Sequence, residues 1–145
     1  MMDNLKAQLK ETFATVFSFY LKAANFHWNV EGPDFYQYHQ LFNDVYTNTY
    51  DSIDPLAEHI RTLGTYTPAS YKRLSELSAV EDALQPLSAK DMMSTLLADN
   101  ATVLTNLTRS FEAAEAHNMQ GLMNFLASRI EQHNKWNWFF RSITK

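Results

Sequence analysis

Chain breakers fall in few places in this 145-residue sequence, and they set its architecture. The chain holds three Gly and four Pro. Gly32-Pro33 forms one break, Gly64 to Pro86 a second, and His117 to Gly121 a third. Between them lie four long segments whose apolar residues recur every three or four positions, the period of a helix with one buried stripe. The first carries Leu9, Phe13, Val16, Phe17, Tyr20, Ala24 and Trp28, and predicts a helix over about 4–29 with Asp3 or Asn4 as its cap. The second runs from Phe35 to Leu63, with Phe35, Tyr38, Phe42, Val45, Thr49, Ile53, Leu56, Ile60 and Leu63 inward and Gly64 as its C′ residue.

Pro55 contests the second segment, because an interior proline removes a hydrogen bond and crowds the carbonyl four residues back. The rival is a helix that stops near Ser52 and restarts with Asp54 as cap and Pro55 at its first position. The unbroken stripe favours one kinked helix. Residues 64–88 change character, and Tyr71 to Leu77 can form a short helix after Pro68. Ser88-Ala89-Lys90-Asp91 then caps a third long helix with Met93, Leu96, Leu97, Val103, Leu104, Leu107, Phe111 and Ala114 inward. Leu122, Phe125, Leu126, Ile130, His133, Asn137 and Phe140 give the fourth. The expectation is an all-α single domain over 1–145: a four-helix bundle with a long crossover between its second and third helices.

Composition narrows the function classes. A formal charge of −4 argues against an electrostatic nucleic-acid binder. Zero Cys excludes a disulfide framework, thiolate metal sites and a Cys nucleophile. The uncharged run Thr12 to Leu21 is far short of the ~20 apolar residues a membrane span needs. The start of the chain does not read as a secretory signal, so a cytoplasmic protein is expected.

The five histidines are His27, His39, His59, His117 and His133. A diiron bundle that closes its site within one chain uses Glu-x-x-His on two helices, and this sequence has no such tetrapeptide. Helix two offers a different set. His39, Asn43, Asp54 and Glu58 span only about 100° of its surface, so they share a face. Yet His39 and Asp54 stand roughly 22 Å apart along the axis at 1.5 Å per residue, too far to hold one ion. Two copies crossing antiparallel about a twofold axis would bring the His39 end of one to the Asp54/Glu58 end of the other, twice. His27, twelve positions earlier at the end of helix one, can lie beside His39. Two imidazoles and two carboxylates suit Fe(II), and Zn and Mn use the same ligands. Spacing alone leaves a plainer reading open, with Asp54 and Glu58 as solvated charges or Asp54 as a cap before Pro55.

His27-Trp28-Asn29-Val30-Glu31-Gly32-Pro33-Asp34-Phe35, then His39, then Asp54-Pro55-Leu56-Ala57-Glu58-His59-Ile60, resembles the Dps family, the miniferritins. The likeness continues through Pro68 to Val80 and to Lys135 and Trp138. It implies a ferritin-like subunit, a short helix in the crossover, and a hollow homo-dodecamer built from twofold dimers. It also implies a ferroxidase site between subunits, with His27 and His39 from one chain and Asp54 and Glu58 from the next. There Fe(II) would be oxidised, preferentially by hydrogen peroxide, and the Fe(III) mineral stored, protecting against oxidative damage.

Two positions depart from the family pattern. Asn43 stands where the family has Asp; a neutral amide is a weaker ligand for a hard cation, which implies a weakened second iron position. Asp44 is a residue further round the helix, about 100° away, and does not replace it. Ala116 to Ile130 lacks the acidic residues the family places near its threefold iron entry. These departures motivate an alternative, a structural cage whose iron chemistry is weakened or lost, or one that binds Zn or Mn. Some members bind DNA through a lysine-rich tail. Here the first ten residues hold only Lys6 and Lys10, and twelve copies would carry about −48 by formal count, so strong DNA binding is not expected.

Overall fold

A computed structural model describes residues 2–145. Five helices follow in order: α1 Met2–Asn29, α2 Phe35–Thr62, α3 Tyr71–Leu77, α4 Ala89–Ala116 and α5 Gln120–Ile143. No strand occurs among the described residues. The four long helices form two hairpins, α1–α2 and α4–α5, joined by the crossover that carries α3. α1 packs on both α2 and α4, and α3 lies against α1. No helix among the described residues is long and apolar enough to cross a membrane.

Each break has a local cause. After α1, Gly32 takes a φ of +124°, a conformation that L side chains rarely adopt. The amide of Phe35 returns to the Gly32 carbonyl at 3.1 Å, which closes the turn and starts α2. Gly64 ends α2 with a φ of +81° and donates to the Arg61 carbonyl, as a C′ glycine does. Ser88 caps α4, its hydroxyl accepting from the Asp91 amide at 3.1 Å. The α4–α5 turn differs from the glycine break that the sequence suggests. Its left-handed residue is Asn118, at φ +54°, and Gly121 lies inside α5. Asn118 donates to the Glu115 carbonyl and Met119 to that of Ala114, so Asn118 holds the C′ place of a Schellman motif.

α2 runs through Pro55 without a break. Thr49, Ser52, Leu56 and Ile60 are buried on both sides of the proline, while Pro55 itself is exposed. Core packing therefore holds the two halves in one helix although a hydrogen bond is lost at the outer face.

The core is built from Leu5, Leu9, Phe19 and Phe26 of α1, Phe42, Val45, Leu56 and Ile60 of α2, Met93, Leu96, Val103 and Leu107 of α4, and Leu126 and Phe140 of α5. Of the stripe expected for the first helix, Leu9, Phe13, Val16 and Ala24 are buried, and Phe17, Tyr20 and Trp28 are not. α1 is aromatic on two adjacent faces, and the deep one carries Phe19, Ala23 and Phe26. Phe17 and Tyr20 flank the core half-buried, and Trp28 is 64% exposed. On α5, Trp136 is buried where Asn137 had been expected, and Asn137 is half-buried.

Several polar groups inside the bundle are paired across helices. Lys22 of α1 meets Asp99 of α4 at 2.8 Å. The Thr12 hydroxyl donates to the Asn106 carbonyl at 3.1 Å and lies 2.7 Å from the Ser110 hydroxyl, which is therefore the donor of that pair. These bonds satisfy groups that would otherwise be costly to bury and fix α1 against α4.

Candidate metal centre

His27 sits in the last turn of α1 and His39 just past the first turn of α2. The five-residue connection folds the helices back on each other, so the two imidazoles meet. Their rings stack at a centroid separation of 3.9 Å and an interplanar angle of 15°. Each ring is also tied to the other residue's backbone. The Nδ1–H of His27 donates to the His39 carbonyl at 2.7 Å, and the Nδ1–H of His39 donates to the His27 carbonyl at 2.6 Å. A carbonyl can only accept, so both Nδ1 atoms carry the hydrogen. The lone pair of each neutral ring then resides on Nε2, the atom left for a metal. One of these bonds also serves α1, whose last carbonyls lack intrahelical partners.

Aromatic rings enclose the pair. Phe35 stacks on the far side of His39 at 4.8 Å, and Tyr46 lies 5.2 Å from His27. Both imidazoles are half-buried. Tyr46 was not singled out by sequence reasoning; the signal available was its place seven residues after His39, two turns along the same face of α2.

The carboxylates of the expected set lie elsewhere. Asp54 and Glu58 are exposed on α2, flanking Pro55, about 22 Å and about 28 Å along the axis from His39. Among the described residues, no three His, Asp or Glu side chains converge closely enough to hold a metal ion. One chain thus brings His27 and His39 together and keeps Asp54 and Glu58 apart from them. Asn43 is half-buried, one turn from His39. Asp44 is exposed and accepts from Gln40 at 3.0 Å, which turns it away from the imidazole pair.

The remaining histidines have other surroundings. His133 is fully buried in the bundle, edge-on to Phe19 at 5.5 Å. Its Nδ1–H donates to Asn100 Oδ1 at 2.8 Å, and Asn100 Nδ2 donates back to the His133 carbonyl at the same distance. Burial, reinforced by the Arg129 charge, pushes its pKa down to about 3, so it is neutral. Its Nε2 has no hydrogen-bond partner among the described residues. His59 packs against Phe125 at 5.2 Å, and burial lowers its pKa. His117 lies in the α4–α5 turn.

Comparison with known proteins follows this geometry. The family model for the ferritin-like domain matches residues 6–145. The chain is 28% identical over 124 residues to DNA protection during starvation protein 2 of Bacillus anthracis, covering 86% of this chain and 85% of that one. The crystal structure of Dps from Staphylococcus aureus superposes with a TM-score of 0.93 at 26% identity, over 99% of this chain and 96% of that one. The crystal structure of a Dps protein from Bacillus brevis gives 0.94 at 25% identity, over 99% and 97%.

Proposed function

This chain belongs to the ferritin-like family and within it to the Dps miniferritins; from that premise we propose that it oxidises Fe(II) with hydrogen peroxide between paired subunits and stores the ferric product. The observation that carries this reading is the stacked imidazole pair. Two reciprocal backbone bonds fix both tautomers and leave Nε2 as the unprotonated nitrogen of each ring. Such orientation by a hydrogen bond from the other ring nitrogen is what metal-ligating histidines need.

In this reading His27 and His39 of one chain bind the ferrous ion together with Asp54 and Glu58 of a second copy. The 22 Å offset along α2 makes the second copy necessary, and a twofold axis supplies two equivalent sites per dimer. The charges match: two neutral rings and two carboxylates offset one divalent ion. Asn43 contributes no charge, so a second ferrous ion is held weakly. Peroxide draws electrons from bound Fe(II), and the carboxylates stabilise the ferric product before it moves inward. The assembly is a homo-oligomeric cage, a dodecamer of twofold dimers, acting in the cytoplasm against oxidative damage, without strong DNA binding.

Asn43 favours one alternative, a cage with weakened ferroxidase activity whose site takes Zn(II) or Mn(II) in place of iron. A single experiment separates the two. Purified protein is mixed anaerobically with Fe(II), peroxide is added, and ferric absorbance is followed before gel filtration. Rapid ferric formation with iron eluting in the protein peak supports the proposal. Oxidation no faster than in buffer, with iron left outside the protein peak, contradicts it.

A further inference from the structure

Two buried polar atoms in the bundle have no hydrogen-bond partner among the described residues: Nε2 of His133 and Nε1 of Trp136. Both residues lie on the inward stripe of α5, one turn apart, at 0% and 6% exposure. Their hydrogen-bonding roles are fixed. Asn100 Nδ2 donates to the His133 carbonyl, so Oδ1 of the same amide accepts from the ring's Nδ1–H. Nε2 of His133 therefore carries a bare lone pair, whereas the indole nitrogen of Trp136 can only donate. The two atoms do not bond each other. Side chains on a helix lean toward its N-terminus, so the indole lies over the turn that carries His133. The rings found against the pair are apolar: Phe19 meets the imidazole edge-on at 5.5 Å, and Phe139 meets the indole edge-on at the same separation.

We propose that this part of the core is a binding site for one water molecule, which accepts from Trp136 Nε1–H and donates to Nε2 of His133. Leaving a buried donor and a buried acceptor both unpaired costs more than immobilising one water, and internal waters settle at such groups. The donor and acceptor set selects against other small occupants. An anion accepts from the indole but meets the imidazole lone pair. A metal cation takes that lone pair but meets the indole N–H. An ammonium ion has hydrogens to give and no lone pair to receive one. A neutral molecule that both donates and accepts serves both atoms, and the close packing of a core limits it to the size of water. The bridge extends the Asn100–His133 pair by two links. It runs from the amide on α4 through the imidazole and the water to the indole, and it orients Trp136 by a hydrogen bond as well as by packing. The site is independent of the imidazole pair at His27 and His39 and does not depend on the iron reading.

The test reads both partners of the water. With Trp28→Phe and Trp138→Phe, Trp136 is the one indole left in the chain, and ultraviolet resonance Raman spectroscopy reports whether its N–H is hydrogen-bonded. The band should stand at the bonded position. Adding His133→Leu takes away the acceptor of the water, and the band should shift to the position of a free N–H. A free N–H before that change, or a bonded one after it, overturns the bridge, because the indole then has no partner or one that does not involve His133. A crystal structure of the unmodified protein, at a resolution that orders internal waters, checks the same point without any substitution, so the test stands even where His133→Leu does not assemble. One density peak within hydrogen-bond reach of both nitrogens is the expected result. A direct bond between the two rings, or apolar side chains closed over both nitrogens with no such peak, overturns the proposal.

Discussion

The imidazoles of His27 and His39 lie face to face at 3.9 Å, each hydrogen-bonded to the main chain of the other. The arrangement joins the end of one helix to the start of the next, so the geometry of the pair is set by the backbone of the α1–α2 turn. Removing either side chain therefore takes away a proposed ligand and leaves a carbonyl of its neighbour without that partner, while the bundle core beneath is untouched.

His39→Ala should slow peroxide-dependent Fe(II) oxidation at least about tenfold, the scale on which lost metal-site interactions are felt. Its elution on gel filtration should match wild type. Stopped-flow ferric absorbance checks the rate; unchanged kinetics would remove His39 from the site.

Restoring a carboxylate should restore a metal position. Asn43 is half-buried one turn from His39, and Asn43→Asp adds a negative charge where a second divalent ion would lie. Titration calorimetry with Zn(II) should count one tight ion per chain in wild type and two in the variant. Two tight ions already present in wild type would contradict the single-ion charge balance.

Buried His133 should make the fold acid-sensitive in a defined window. Its pKa falls from an ordinary 6.5 to about 3 on folding. Below pH 6.5 the unfolded chain binds a proton that the folded chain refuses, so stability falls as pH drops, until the folded state also protonates near 3. The slope from this one group approaches about 1.4 kcal/mol per pH unit. Urea unfolding at fixed protein concentration should show His133→Gln with a shallower loss than wild type between these limits. Parallel curves for the two proteins would rule the mechanism out.

Much of this architecture could be read from the sequence because its signals are local. Ser88 caps α4 and Gly64 ends α2 through bonds to residues within four positions. The unbroken stripe favoured one helix through Pro55 over a break, and what settles it, the burial of Leu56 and Ile60, is tertiary. Part of the α1 stripe was misassigned for a similar reason: Phe17, Tyr20 and Trp28 are aromatic like Phe19 and Phe26, and only tertiary partners, such as His133 of α5 beside Phe19 and Phe42 of α2 beside Phe26, decide which are buried. The imidazole pair was legible as a spacing, but its reciprocal carbonyl bonds were not, since they depend on the path of the Gly32 turn.

Charge also predicts behaviour toward nucleic acid. Lys6 and Lys10 lie within α1, and the chain carries a formal charge of −4, so phosphate should repel the protein at low salt. A mobility-shift assay at low ionic strength without divalent metal should show free DNA. Tight, salt-sensitive retardation would contradict this.

The central claim is that the coordination sphere closes only between two chains, and complementation between crippled subunits measures it. One variant lacks both imidazoles (His27→Ala with His39→Ala) and the other both carboxylates (Asp54→Ala with Glu58→Ala); each alone should be inactive in peroxide-dependent Fe(II) oxidation. Dissociated and reassembled as an equal mixture, half of the dimers are hybrids, and each hybrid rebuilds one of its two sites, so about one quarter of wild-type activity should return. A mixture as inactive as its two components, in assemblies shown to contain both chains, would contradict the account.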